Sequence, residues 1–309
     1  MTTVIQDRFH THRLVPADLA AVVAIDAALS GRSRSAYFER RLAAARREPD
    51  LHLQLAVDGQ DGLAGFMLGR LLEGEFGRSE AEVRLEAFGI RAASQHQGLG
   101  SALAGAFEGE AARFGAAAIR TTARWREHEL LRFLDHAGYS LAGEQLLDCQ
   151  PHDYAADARD AVEIEVLQDA DLEGVARIDA RHTGRDRRGY LCRALREALA
   201  DSAVRVSLVA RIDGGVAGFL MARMDYGDFG RVEPSAVIDT VGVDPLRARQ
   251  GIGRALLSQL LLNLRALGAE RVETAVAPGD LPLIGYFHDA GFRPSERLSF
   301  VKPLGRAAG

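Results

Sequence analysis

The amino-acid sequence predicts an α/β protein made of two copies of one domain, each a mixed sheet with helices on both faces. Three observations carry that reading. The chain has 309 residues, about twice a usual domain length. One register of similarity, offset by 153 residues, runs along nearly all of it. Each copy also contains the same block of apolar strand, glycine-bearing loop and apolar-striped helix.

The offset is set by Gly98-Leu99-Gly100 and Gly251-Ile252-Gly253, and it continues without a gap on both sides. Asp18 falls on Asp171, Asp26 on Asp179, and Gly31-Arg32 on Gly184-Arg185. Tyr37 falls on Tyr190, Ala64-Gly65-Phe66 on Ala217-Gly218-Phe219, and Phe76-Gly77-Arg78 on Phe229-Gly230-Arg231. Gln97 falls on Gln250 and Gly138 on Gly291. Chance similarity of Ala- and Arg-rich segments does not keep one register over such a distance. The period also far exceeds the roughly 20 to 50 residues of solenoid repeats. The duplication divides the chain into a first domain over 8–149, a polar linker over 150–160 and a second domain over 161–305.

In the first copy, an edge strand is expected at 11–14, and Pro16-Ala17-Asp18 opens a helix with Leu19, Val22, Val23 and Ile25 on its inner side. A second helix follows over 35–48. Alternating Leu53, Leu55 and Val57 mark a strand over 52–57, and the turn Asp58-Gly59-Gln60-Asp61-Gly62 leads into a long strand over 63–72, together a hairpin. The central strand is 82–90, the loop helix 98–114, and another strand 118–122. A helix over 127–137 ends at Gly138, and a closing strand over 140–148 completes the copy. The same order then repeats.

Composition narrows the function classes. Hydrophobic residues at 47% and charged residues at 26% describe an ordinary folded protein with enough apolar material for two cores. A net charge of −5 argues against a nucleic-acid binder working through a broad basic face. Two cysteines make neither a disulfide framework nor a metal site, so no metal is expected, and the nine histidines show no ligand spacing. No apolar run suggests a signal core or a membrane span, so no membrane partner and a cytoplasmic location are the expectation.

The stretch that points to chemistry is 236–257. An apolar strand (Ala236, Val237, Ile238, Val241, Val243) is followed by Asp244-Pro245, then Arg249-Gln250-Gly251-Ile252-Gly253-Arg254-Ala255, then a helix striped by Leu256, Leu257, Leu260, Leu261 and Leu264. Glycines let the backbone approach an anion, and the first N–H groups of the helix have no partner within it. The block lacks the Lys-Ser/Thr of a P-loop and the third glycine of a dinucleotide motif. It resembles the acyl-CoA loop of the GNAT superfamily of N-acetyltransferases, Gln/Arg-x-x-Gly-x-Gly/Ala after a strand. The resemblance extends in two copies over nearly the whole chain. It implies tandem GNAT folds, each with a mixed, mostly antiparallel twisted sheet flanked by helices, and acetyl-CoA as co-substrate. In that family the loop amides hold the CoA pyrophosphate and the preceding strand, here Val241 and Val243, hydrogen-bonds the pantetheine arm. The leading Gln/Arg falls on Ala248 in the second copy, with Arg247 and Arg249 beside it. The first copy has the complete motif, Gln95-His96-Gln97-Gly98-Leu99-Gly100, with little positive charge around it. Motif favours the first half and charge the second. The second is read as catalytic, the first as a weak binder or a support for the fold.

Acyl transfer to an amine requires the uncharged amine. For a lysine-like amine at neutral pH that costs about 4.6 kcal/mol, so a base near the attack point helps. The candidates are Asp239 and its counterpart Glu86, carboxylates inside the strands before the loops, where GNAT enzymes carry acid/base residues. The other readings are that Asp239 pairs with an arginine or caps a backbone bulge, and that Glu86 faces solvent. The family's acid tyrosine falls on Phe287 and Leu134, with Tyr286 next door. Tyr286 is therefore either the acid or core, with water as the other proton source. Arg185 and Tyr190 lie where GNAT folds form one wall of the acceptor site, and ordinary surface charge with a packed tyrosine is the alternative. Trp125 either lines a pocket in the first half or packs. The acceptor is expected to be a small-molecule or peptide amine. The two fused copies form either a monomeric pseudo-dimer or part of a homodimer. The alternative function is a non-catalytic acyl-CoA-binding or assembly module.

Overall fold

The computed structural model describes residues 9–73, 80–153, 162–201, 206–225 and 234–305. The aligned pair Phe76-Gly77-Arg78 and Phe229-Gly230-Arg231, and most of the expected linker, lie outside the described residues. The first half supplies β1 (Thr11–Arg13), α1 (Leu19–Ser30), α2 (Ser35–Arg47), β2 (His52–Gly59), β3 (Gly62–Glu73), β4 (Ala81–Ile90), α3 (Leu99–Arg113), β5 (Ala118–Arg124), α4 (His128–His136), β6 (Ser140–Leu141) and β7 (Gln145–Cys149). The second supplies β8 (Glu163–Val166), α5 (Leu172–Thr183), α6 (Arg188–Asp201), β9 (Leu208–Ile212), β10 (Gly215–Asp225), β11 (Ser235–Val243), α7 (Ile252–Ala266), β12 (Arg271–Val276), α8 (Leu281–Asp289), β13 (Arg293–Pro294) and β14 (Arg297–Pro303). Gly31 and Gly184, at φ 76° and 68°, end α1 and α5 in the left-handed conformation, which explains that aligned pair.

Each sheet has seven strands, in the orders β1-β2-β3-β4-β5-β14-β6 and β13-β7-β12-β11-β10-β9-β8. Within each, one neighbouring pair is parallel, β4 with β5 and β11 with β12, and the others are antiparallel. Strand alternation places two cores on each sheet. Leu53, Leu55 and Met67 face α3 through Leu103 and Phe107, while Ala56, Phe66 and Leu68 face α1 and α2 through Val22 and Phe38. In the second sheet Leu208, Ala210 and Leu220 meet α7, and Val209, Phe219 and Met221 meet α5 and α6.

The closing strand expected over 140–148 differs from what forms. It is broken at residues 142–144, and its two parts join different sheets. β7 leaves the first half and pairs with β12, Cys149 opposite Val272 and Gln145 opposite Val276. β14 makes the reverse crossing to β5, Arg297 opposite Arg124 and Pro303 opposite Ala118. The exchange places Leu147 in the second core, and Phe300 beside Leu134 and Ala123 of the first half. Glu144, at the crossing, accepts from Arg120 at 3.2 Å and from Ser299 at 2.5 Å. The alternation of apolar residues was readable in both strands, but nothing local says which sheet edge receives them.

Candidate active site

The site in the second half is built by the way β11 leaves its parallel neighbour. The two strands pair only over 235–238 with 271–274, and the Thr274 hydroxyl donates to the Ile238 carbonyl at 3.0 Å. Beyond that point one edge of β11 stays on β10, as far as Val243 opposite Gly218, while the other meets no strand among the described residues. Residues 239–243 therefore present backbone donors and acceptors along an open edge. Val241 and Val243 lie on it, half-buried against the second core.

Asp239 stands where the edge opens, because of a bulge. Met221 lies opposite Thr240 and Ala222 opposite Ile238, so Asp239 is the extra residue. Its side chain is 7% exposed, and Arg223 donates to Oδ2 at 2.9 Å. Both alternatives to the base reading are thus present geometrically, an arginine pair and a bulge. Tyr190, buried on α6, sits within hydrogen-bonding distance (3.1 Å) of the Thr240 hydroxyl beside it. Arg187 lies 5.0 Å from the Tyr190 ring centroid and donates to both oxygens of buried Asp179. Burial opposes the Arg187 charge, but the hydrogen bond and charge of Asp179, with smaller help from Tyr190 and Asp239, outweigh it and raise its pKa. Arg185 stays exposed on the turn after α5 and does not join this group. Sequence reasoning missed Arg187 and Arg223 as partners. The available signal was their recurrence as Arg34 and Arg70 at the repeat offset, together with the need of a buried carboxylate for a cation.

The loop after β11 has no side chain folded onto the start of α7. Arg249 and Gly251 have φ of 63° and 81°, and Gly251 caps α7 with no side chain on the helix's first amides. Successive N–H groups in such a turn point to one side. Ile252 and Ala255 bury their side chains, Gln250 and Arg254 are exposed, and Gly253 is closed by Tyr286, whose ring carbon would lie 3.3 Å from an added Cβ. The Tyr286 hydroxyl donates to the Gly253 carbonyl at 2.7 Å, so its proton points at the loop. Below the loop Arg181 donates to both Asp244 oxygens at 2.7 and 2.8 Å. The Leu246 amide first, and then Arg181, hold the Asp244 carboxyl below the usual range. Arg247 reaches Asp213 at 3.2 Å, while Arg249 has no side-chain partner among the described residues. The residues present fit an extended thioester arm on the open edge and a pyrophosphate on the loop.

The first half repeats the backbone but not the surroundings. His96 and Gly98, at φ 60° and 89°, match Arg249 and Gly251, and Glu86 is again the bulged residue, between Leu85 and Ala87. Glu86 does not face solvent: it is 1% exposed and accepts from Arg41, with Arg70 at 3.6 Å. The Gln95 side chain donates to the Ile90 carbonyl at 3.1 Å, tying the loop to its strand. Phe9 would lie 3.7 Å from a Cβ on Gly98, and Phe88 and Phe133 stack at 4.5 Å against Gly100. At the repeat offset Phe88 and Phe133 correspond to Val241 and Tyr286. Trp125 is not packed in a core; it is 65% exposed just after β5.

The comparisons with known proteins place the resemblance in the second half by sequence and over the whole chain by fold. The Acetyltransferase (GNAT) family profile matches residues 173–292. The match lies within the second half. A mycothiol acetyltransferase of Clavibacter sepedonicus is 35% identical over 120 residues, which cover 38% of this chain and only 37% of that relative. Over the whole chain the fold matches a tandem GNAT protein from the clavulanic acid biosynthesis pathway, with TM-score 0.67, 15% identity and coverage of 97% of this chain and 99% of that one. A GCN5-related N-acetyltransferase from Sphaerobacter thermophilus gives TM-score 0.61 at 18% identity, with 96% of each chain covered. The architecture is therefore two tandem GNAT folds with exchanged closing strands. Among the described residues no helix is long and apolar enough to cross a membrane, and no group of three or more His, Cys, Asp or Glu could hold a metal.

Proposed function

We propose that the chain is an acyl-CoA-dependent N-acyltransferase whose second half carries out acetyl transfer to a small-molecule amine. The observation that carries this reading is the open edge at 239–243 beside an uncapped, left-handed loop and helix start. The GNAT family match within the same half supports it. Acetyl-CoA would supply the activated acyl group as a thioester. Its pyrophosphate would lie on the amides of 250–254, with Arg249 adding charge. The relatives' names, mycothiol and clavulanic acid among them, point to a small molecule rather than a protein as acceptor.

In this reading the amine attacks the thioester carbon directly in a ternary complex, and its proton goes to Asp239 while Arg223 holds Oδ2. Tyr190 and Arg185 belong to the acceptor side, Tyr190 by its contact with Thr240 and Arg185 as an exposed charge at the rim. The leaving thiolate, if like a free thiol of pKa about 8.5, needs little help. Tyr286 serves it only by turning from Gly253; water is the other source. In the first half Phe9 lies beside Gly98 and Phe88 stands in place of Val241, and we assign that half to support. The two copies, at 8–149 and 161–305, act as a pseudo-dimer within one chain.

Calorimetric titration with acetyl-CoA tests the assignment through its stoichiometry. One site is expected; two sites would remove the division of labour, and none would remove the reading. A second reading, an acyl-CoA-binding module without turnover, is favoured by the engagement of both proton-transfer candidates, Asp239 with Arg223 and Tyr286 with Gly253. Acetyl-CoA consumption that requires an added amine separates the two.

A further inference from the structure

A cleft away from both glycine loops lies in the first half, between β1, the last turn of α2 and the start of β2. Its volume is about 110 Å³, smaller than the ~150 Å³ cavity that accepts benzene. It is also well below the ~300 Å³ at which sites for drug-sized ligands begin. The cleft itself has room only for a small group. Its polar lining comes from Arg13 of β1, Arg46 of α2, and His52 and Gln54 of β2, with no carboxylate among the described lining residues. Leu14, Leu42 and Pro49 supply apolar wall.

The polar groups are unequal in what they can still bind. Gln54 donates its amide to the Arg41 carbonyl at 2.9 Å. Arg13 is loosely engaged, 3.6 Å from Glu110, and Arg46 is exposed with no carboxylate partner among the described residues. His52 is 8% exposed, and its imidazole has no hydrogen-bond partner among the described residues. Burial first, and then Arg70, Arg41 and Arg47, push its pKa down to about 3. It is therefore a neutral ring with one N–H to give. A ring nitrogen on the cleft wall without a protein partner is open to a ligand's oxygen.

The feature is not a by-product of the shared fold. At the repeat offset Arg13 falls on Val166 and Arg46 on Leu199, so the second half does not reproduce it. We propose that this cleft binds a small carboxylate with a short apolar chain, its oxygens held by Arg13 and Arg46 and hydrogen-bonded by His52, its chain against Leu14, Leu42 and Pro49. Guanidinium forks match the planar carboxylate, and the apolar wall distinguishes such an acid from inorganic phosphate.

The test is an NMR titration of the full chain, labelled at histidine, with sodium butyrate at constant ionic strength. Sodium chloride and inorganic phosphate serve as comparison salts, and His52→Gln identifies the ring signal. A saturable shift of the His52 resonance with butyrate is expected, weakened by about tenfold or more in Arg46→Glu. Arg46 is exposed, so that variant should fold, and its unchanged thermal unfolding would confirm this. A shift that does not saturate, or equals that of chloride, overturns the site. Equal affinity in Arg46→Glu and Arg13→Glu overturns the role of the arginines, and tighter binding of phosphate overturns the ligand class.

Discussion

Asp239 illustrates how one residue can satisfy a structural need and still offer chemistry. A carboxylate in a mainly apolar strand is costly unless paired, and the bulge that sets it at the opening of β11 also gives it Arg223. Replacing Asp239 with Asn should lower turnover mainly near neutral pH, where the amine most needs a base; an unchanged pH–rate profile would remove it from the mechanism. The Asp179–Arg187 pair behind it, with side chains 4% and 7% exposed, has a different role. Asp179→Asn leaves the arginine charge buried and should cost about 3–5 kcal/mol, read as a fall in the urea midpoint. His52 gives a pH signature of its own. Its pKa is depressed from 6.5 to about 3, so the folded chain holds the neutral ring. Its contribution to stability is complete above pH 6.5 and is lost as pH falls towards 3. The fall in stability with acid over that window should be shallower in His52→Gln than in the parent.

The glycine loops show one backbone turn carried in two copies with different side chains around it. Both have a left-handed residue two positions before the capping glycine, His96 before Gly98 and Arg249 before Gly251. A valine at either glycine is strained, since φ lies near 81° at Gly251 and 89° at Gly98. The consequence for function should differ: Gly251→Val should abolish acetyl-CoA binding, and Gly98→Val should leave the binding seen in calorimetry intact. Loss in both variants, with both folded, would mean that the first loop also binds. The loop was legible in the sequence because glycines, strand and helix stripe are local signals. The ring of Phe9 beside Gly98 was not, because it reaches the loop from a distant part of the chain.

At the scale of the molecule the decisive fact is the exchange of β7 and β14. Each sheet contains a strand covalently attached to the other half, so the halves are joined by two ladders as well as by the chain. Cutting the chain once between Asp153 and Val162 should therefore leave both pieces associated in size-exclusion chromatography without denaturant. Two domains that each closed their own sheet would separate instead. The buried Cys149, whose thiol is pushed up to about 12 by burial first and then by Asp148 and Asp153, lies in one of these ladders and should resist thiol reagents until the ladder opens.

By itself the sequence determined the duplication, the order of strands and helices and the two glycine loops, and it offered Asp239 and Glu86 as candidate carboxylates. All of these are written in local periodicity, glycine placement and one constant offset. The tertiary structure alone decided where the closing strands go, because the apolar alternation of β7 suits either sheet equally. It also decided that Glu86 is enclosed by Arg41 and Arg70, that Arg223 and Arg187 surround Asp239, and that Trp125 is exposed. Those outcomes depend on which side chains meet across distant segments, and the spacing of residues along a chain carries no record of such meetings.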